Sequence, residues 1–196
     1  MSTRQTLPLL WLLSDARNDA VLEAALRALP RGSGFVFRHY HLDARERRAR
    51  FARLAVVARG QGHCTVLSGR CWSEAEEWDA DGLYGGPTTA ADTRPAGLLW
   101  LATAHDAAEL AAANRRGADG IFVSPVFPTR SHPGVEVLGA EGFHALARQS
   151  IAPVIALGGM NPASAEQLGC PRWGAIDGLV AELPEGLAGG PQSNSE

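Results

Sequence analysis

The chain contains no lysine: all 18 of its basic residues are arginines. Schiff-base chemistry and a lysine clamp on phosphate are both excluded by that absence. Cysteine is scarce as well, and Cys64, Cys71 and Cys170 form no Cys-x-x-Cys pair. Neither a disulfide framework nor a cysteine-based zinc site is therefore written into the spacing, and the odd count fits reduced thiols. The histidines are dispersed, with no His-x-x-x-His pair to suggest zinc. No apolar run approaches the roughly 18 residues that cross a bilayer. Met1 to Pro8 lacks the apolar centre of a secretory leader, so the expectation is a cytoplasmic protein with no membrane partner. Excess positive charge is missing too. A net charge of -3 argues against a nucleic-acid partner, because a phosphate backbone calls for a concentrated basic patch. The one local excess, Arg45, Arg47, Arg48, Arg50 and Arg53, reads as the solvated face of a helix.

What is present is a repeated alternation of short apolar runs with helical stretches. At 196 residues the chain fits one domain with a real core. We place that domain at 1–188 and expect a disordered tail over 189–196. Candidate strands are Leu9 to Leu13, Gly34 to His39, Thr65 to Leu67, Gly82 to Tyr84, Leu98 to Thr103, Gly120 to Ser124, Val154 to Leu157 and Ile176 to Val180. Runs such as Pro153-Val-Ile-Ala-Leu-Gly suit strands buried on both faces of a parallel sheet. Helices are expected over Ala20 to Leu29, Ala44 to Arg59, Ala107 to Arg116, Ala140 to Gln149 and Pro162 to Leu168. Asn161-Pro162 is a start signal and Gly117 a stop. Alternating β and α units leave a doubly wound sheet or a closed barrel, and eight strands favour the α/β (β/α)8 TIM barrel. Such barrels typically run to about 250 residues, so this one is abbreviated, with shortened helices after strands 3, 4 and 8. The five tryptophans are core or interface anchors.

In a parallel barrel the functional groups gather on the loops that follow the strands. After strand seven, Gly158-Gly159 leaves backbone N–H groups unshielded ahead of a helix start at Asn161, which makes either an anion site or a plain turn. The end of strand eight, Val180-Ala181, supplies the other half of a phosphate cradle. After strand six comes a long loop in which Ser124, Thr129, Arg130, Ser131 and His132 can meet anionic oxygens; the alternative is a rigid connector. After strand five, His105 is either an acid/base group or a structural histidine. His39 and His41 line or flank the barrel mouth.

Gly117-Ala-Asp-Gly-Ile-Phe-Val-Ser-Pro-Val-Phe-Pro-Thr, followed about thirty residues later by Ile151-Ala-Pro-Val-Ile-Ala-Leu-Gly-Gly-Met, resembles the thiamine phosphate synthase and TenI family. The resemblance runs over about Leu9 to Val180 and is specific from Leu98 onward. It implies a (β/α)8 barrel, a homodimer and a phosphorylated thiazole or thiamine ligand. Synthase members join a pyrimidine pyrophosphate to a thiazole phosphate with magnesium; TenI members isomerise a thiazole carboxylate phosphate. It places the thiazole phosphate at Gly158, Gly159, Val180 and Ala181, and matches Thr129 and Ser131 to two hydroxyl residues of the strand-six loop. His132 stands where a pyrophosphate-binding lysine is expected. Arg38 keeps a family arginine, Thr103 matches a family serine, and His105 matches the histidine that TenI-type members use for proton transfer. The magnesium-ligand carboxylates are absent, with Gly69 after strand three and Thr89 after strand four. Asp92 is a candidate displaced ligand. Leu67-Ser-Gly-Arg70 is closer to the TenI branch, and Glu182 is a carboxylate where the family has small residues. Besides an enzyme, the sequence leaves open a catalytically silent paralogue acting as sensor or partner, and an unrelated sugar-phosphate barrel enzyme.

Overall fold

The computed structural model describes residues 6–86, 93–131 and 134–180. Eight parallel strands close into a barrel in chain order: β1 (Leu10–Leu13), β2 (Gly34–Phe37), β3 (Cys64–Ser68), β4 (Gly82–Gly85), β5 (Leu99–Ala104), β6 (Gly120–Val123), β7 (Val154–Ala156) and β8 (Trp173–Ala175). β1 closes the ring by pairing with both β2 and β8. The helices are α1 (Leu22–Ala28), α2 (Ala44–Gly60), α3 (Trp72–Glu77), α4 (Ala107–Arg115), α5 (Gly139–Ala147) and α6 (Pro162–Leu168). This is the expected (β/α)8 barrel.

The helix ends follow local chemistry. Asp43, Asp106 and Asn161 each accept a hydrogen bond from the backbone N–H three residues on, capping α2, α4 and α6. Gly117, at φ 73°, ends the turn after α4 as the sequence indicates. The short helix after strand three is α3, of six residues. Between β4 and β5 the described residues 93–98 contain no helix. The expected short last helix and the tail 189–196 lie outside the described residues.

The eighth strand is a correction. It occupies Trp173–Ala175, and Ile176 to Val180 is bend and turn, with the Val180 N–H donating to the Asp177 carbonyl at 3.1 Å. Gly174 hid it, because glycine weakens an apolar strand signal. A Cβ there would stand 2.9 Å from a Leu13 methyl and 3.1 Å from Trp11. The apolar run beyond it is loop side chain, since Leu179 and Val180 pack on the outer core.

Alternation along the strands divides the core into two clusters. Outward residues such as Phe35, Phe37, Leu67, Leu83, Ala102 and Val123 pack under the helices. Inward residues Trp11, Leu13, Val36, Val66, Tyr84, Leu101, Phe122 and Ile155 fill the barrel. Trp11 is fully buried, and its two neighbouring strands, β2 and β8, make way for it. A Cβ on Gly34 would fall 2.1 Å from its indole ring. Layers filled from alternate strands are what a closed eight-stranded ring demands.

His39 follows the outward row of β2. It stacks on Phe37 with ring centroids 4.7 Å apart and is buried, so of the two expected placements it flanks the mouth rather than lining it. Its Nε2 is 2.7 Å from Asp19 Oδ1 and its Nδ1 is 2.8 Å from Ser14 Oγ, while Ser14 Oγ accepts from the Arg38 N–H at 2.7 Å. A carboxylate only accepts, so Nε2 carries the proton and Nδ1 accepts from the serine hydroxyl. This closed chain holds His39 at φ 29°, in the left-handed region. Burial pushes His39 below its ordinary value, and the bond to Asp19 only partly offsets it. Burial lowers His63 in the same way, with Nε2 bonded to the Leu26 carbonyl.

Two outcomes are expected. Gly34→Ala should destabilise the fold by about 1–3 kcal/mol through overpacking against Trp11, read as a lower urea midpoint, and Trp11→Phe in the same background should recover part of it. In acid, the unfolded chain takes up protons at His39 and His63 before the folded chain does. Their contribution is therefore complete above pH 6.5, the ordinary histidine value, and is lost as pH falls through their lowered folded values. The Tm should drop between pH 7 and pH 5, and drop less in His39→Gln; an unchanged slope in that variant would remove the assignment.

Candidate functional site

The inward alternation continues one step past the hydrophobic barrel interior, and there it becomes polar. Arg38, Ser68, Thr103 and Ser124 stand two residues beyond Val36, Val66, Leu101 and Phe122, and they line a cavity of about 1000 Å³ at the carboxyl ends of the strands. Tyr84 forms part of its lining from β4. Thr129 and Ser131, Gly158 and Gly159, and His105 close its sides from the loops after β6, β7 and β5. The structure thus brings together every sequence-selected site residue among those described, except Val180. His132, Ala181, Thr89, Asp92 and Glu182 lie outside the described residues.

Gly158 and Gly159 have φ of 92° and 65°, conformations that side chains rarely adopt. They also lie hard against the strand-six loop. A Cβ on Gly158 would be 2.8 Å from Pro125 Cα, and one on Gly159 would be 2.6 Å from the Pro128 carbonyl oxygen. Two hydrogen bonds hold the segments in this register, from the Val126 N–H to the Leu157 carbonyl and from the Phe127 N–H to the Gly158 carbonyl. The Ser124-Pro125 peptide bond is cis. Among the described residues no acceptor takes the amide hydrogens of Gly158, Gly159 or Met160. The loop after β8 completes this side through Ile176, Asp177 and Gly178 rather than Val180. Gly178 is obligatory there, since a Cβ would meet the Met160 carbonyl at 2.2 Å.

His105 is tied to α4. Glu109 Oε2 accepts from the His105 backbone N–H and meets its Nδ1, both at 2.8 Å. The Glu109 carboxylate therefore selects the tautomer with the proton on Nδ1. Arg38 is mostly buried, with Asp15 Oδ2 3.9 Å from its guanidinium and the Tyr40 ring 5.5 Å away. Ser131 Oγ accepts from Arg17 at 2.9 Å, and Arg17 also reaches Asp15 and Asp177. The Thr103 and Ser124 hydroxyls carry no hydrogen bond to described residues.

Arg47 and Glu74 are lining residues that sequence reasoning missed. Arg47 belongs to the run read as a solvated face, and Arg48 and Arg53 do face solvent, but Arg47 and Arg50 turn inward. Arg47 donates to the Arg38 and Ser68 carbonyls and to Glu74 Oε1, and lies over the Phe37 and Trp78 rings. Its place in the first turn of α2, just after the capping Asp43, was the available signal, since that turn faces the barrel mouth. Tyr84 was read only as the end of a strand; its shared parity with Gly82 on β4 marks it as inward.

The magnesium implied by the resemblance calls for one or two carboxylates with free oxygens. Among the described residues, no three His, Cys, Asp or Glu side chains are grouped to hold a metal ion. A Cβ on Gly69 would stand 2.9 Å from Glu74 Oε2, so Glu74 fills the space a carboxylate at position 69 would need. Its other oxygen is bonded to Arg47, whose positive charge disfavours a dication. The described residues do not fit a magnesium site. Burial pushes the Cys64 thiol up to about 12, which disfavours its thiolate.

The fold and site can now be set beside known proteins. The chain is 30% identical over 152 residues to a thiamine-phosphate synthase of Chloroflexus aurantiacus, covering 74% of this chain and 68% of that one. A thiamine-phosphate synthase of Myxococcus xanthus is 37% identical over 89 residues, 42% of this chain and 41% of that protein. Among solved structures, a thiamine phosphate pyrophosphorylase of Pyrococcus furiosus superposes with a TM-score of 0.68 at 24% identity, covering 89% of this chain and 87% of that one. At that identity the superposition speaks for the barrel alone. The sequence pattern of the family described as thiamine monophosphate synthase matches residues 10–170, and the chain belongs to that family.

Proposed function

We propose that the chain acts in thiamine biosynthesis, holding a thiazole phosphate by its phosphate on the loops after β7 and β8 and transferring a proton on the bound ring. The observation that supports this most directly is that Gly158 and Gly159, whose amides have no acceptor among the described residues, line a cavity at the carboxyl end of the barrel. A phosphate accepting from backbone N–H groups makes charge-assisted bonds roughly twice as strong as neutral ones. His105 is the proton carrier in this reading. With Nδ1 held by Glu109, the lone pair sits on Nε2, which removes a proton from one ligand atom and returns it at another. That exchange leaves the composition of the ligand unchanged, as an isomerisation requires. Thr103, two residues before His105 and near the end of β5, adds a hydroxyl to the cavity lining.

The described residues do not fit a magnesium site, and this sets the condensing activity behind the isomerising one. A leaving pyrophosphate needs its charge neutralised, and Glu74 is already paired to Arg47. A ligand-binding paralogue without turnover is the second reading, favoured by the 56% exposure of the His105 side chain.

Thiazole phosphate or thiamine phosphate at 100 times its Kd should stabilise the native protein by about 2.7 kcal/mol, seen as a rise in Tm that ribose phosphate does not give. Absence of a shift with both thiazole compounds removes this reading and the paralogue reading together. His105→Ala should keep the shift and lose about 10²- to 10⁴-fold in turnover. An established rate that survives the substitution shows that His105 is not the proton carrier, and binding without any wild-type turnover decides for the paralogue.

A further inference from the structure

One polar group in the cavity is left unexplained by the phosphate cradle and by His105. Tyr84 is the last large inward side chain of β4, 8% exposed, wedged edge-on against Phe122 with ring centroids 5.2 Å apart. Inside the barrel it belongs to the apolar cluster of Trp11, Val36, Val66, Leu101 and Phe122. Yet the residue lines the cavity, and among the described residues its hydroxyl has no hydrogen-bond partner. Phenylalanine would pack there as well and would leave no unpaired donor. Among the described residues the fully buried, unpartnered side-chain atoms are His63 Nδ1 and Arg172 Nε, not the Tyr84 hydroxyl, which belongs to the cavity wall and is there to meet what enters the cavity.

We infer that Tyr84 is a specificity-determining residue, whose hydroxyl donates to an acceptor atom of the bound ligand at the end remote from its phosphate. The ring topology supplies the direction. β4 stands opposite β8 in the closed order, so a ligand anchored on the loops after β7 and β8 extends across the mouth toward Tyr84. The cavity, at about 1000 Å³, is large enough for that span. The hydroxyl acts as a neutral donor. Burial holds the phenol far above its ordinary value, outweighing the nearby Arg38, so it keeps its proton throughout the physiological range. A neutral donor fixed in an apolar wall discriminates strongly, because a ligand lacking the acceptor leaves it unpaired. The ligand class is thus a small heteroaromatic phosphate bearing a hydrogen-bond acceptor on its ring portion. This inference rests on the thiazole phosphate reading above.

The test is Tyr84→Phe, which keeps the ring and removes the hydroxyl. Titration calorimetry is run with thiazole phosphate and with inorganic phosphate, beside thermal unfolding without ligand. The expected result is a loss of about 10- to 100-fold in affinity for thiazole phosphate. Affinity for inorganic phosphate should be unchanged, and the ligand-free Tm should be equal to or above that of the wild type. A group serving the fold would move the Tm the other way. Unchanged affinity for thiazole phosphate overturns the inference alone. So does a lowered Tm or a failure of Tyr84→Phe to fold, which would make the hydroxyl a structural group. A wild-type protein that binds inorganic phosphate but not thiazole phosphate takes down the functional reading, and this inference with it.

Discussion

Room inside a closed ring of eight short strands is the constraint on which the molecule depends. Trp11 claims one layer of that interior, and the neighbouring strands β2 and β8 yield to it with glycine at positions 34 and 174. Above it, Phe122 and Tyr84 pack edge-on in the next layer. The same alternation then delivers Arg38, Ser68, Thr103 and Ser124 to the surface of the filled barrel. The polar floor of the cavity is thus the continuation of the core pattern by one more residue per strand. Site and core are not separate designs.

The rim above that floor is organised by arginine. A guanidinium presents several donors in a plane and joins several acceptors at once, which an ammonium does less well. Arg47 gathers two carbonyls and a carboxylate from the ends of β2, β3 and α3. Arg50 ties Asp19 and Glu23 to α2, and Arg17 links the loops after β1, β6 and β8. Much of the positive charge near the mouth is therefore already committed to neighbouring loops. Arg38, less closely paired, is a mostly buried guanidinium that lines the cavity.

Several features were legible in the sequence because they are local. Apolar runs of the right length gave seven of the eight strands, Asn161-Pro162 gave the start of α6, and Gly117 gave the stop after α4. The double glycine announced backbone that no side chain can enter. β8 was misplaced because Gly174 is small for a reason that lies on β1, and no local pattern encodes a neighbour's indole ring. The placement of His39 was left open for a similar reason. Its sequence position is compatible with either face, and only the outward row of Phe35 and Phe37, with Ser14 and Asp19 brought alongside, decides its burial.

The chain's own order of residues determined the repeating unit, the strand count and the identity of the groups at each loop, since periodicity and turn chemistry act over a few neighbours. Ring closure decided which of those groups meet. It set Gly158 and Gly159 against Pro125 and Pro128, turned Glu74 into the space beside Gly69, and left the Tyr84 hydroxyl facing a cavity. Such encounters depend on contacts between residues tens of positions apart, and those distances are fixed only when the barrel shuts.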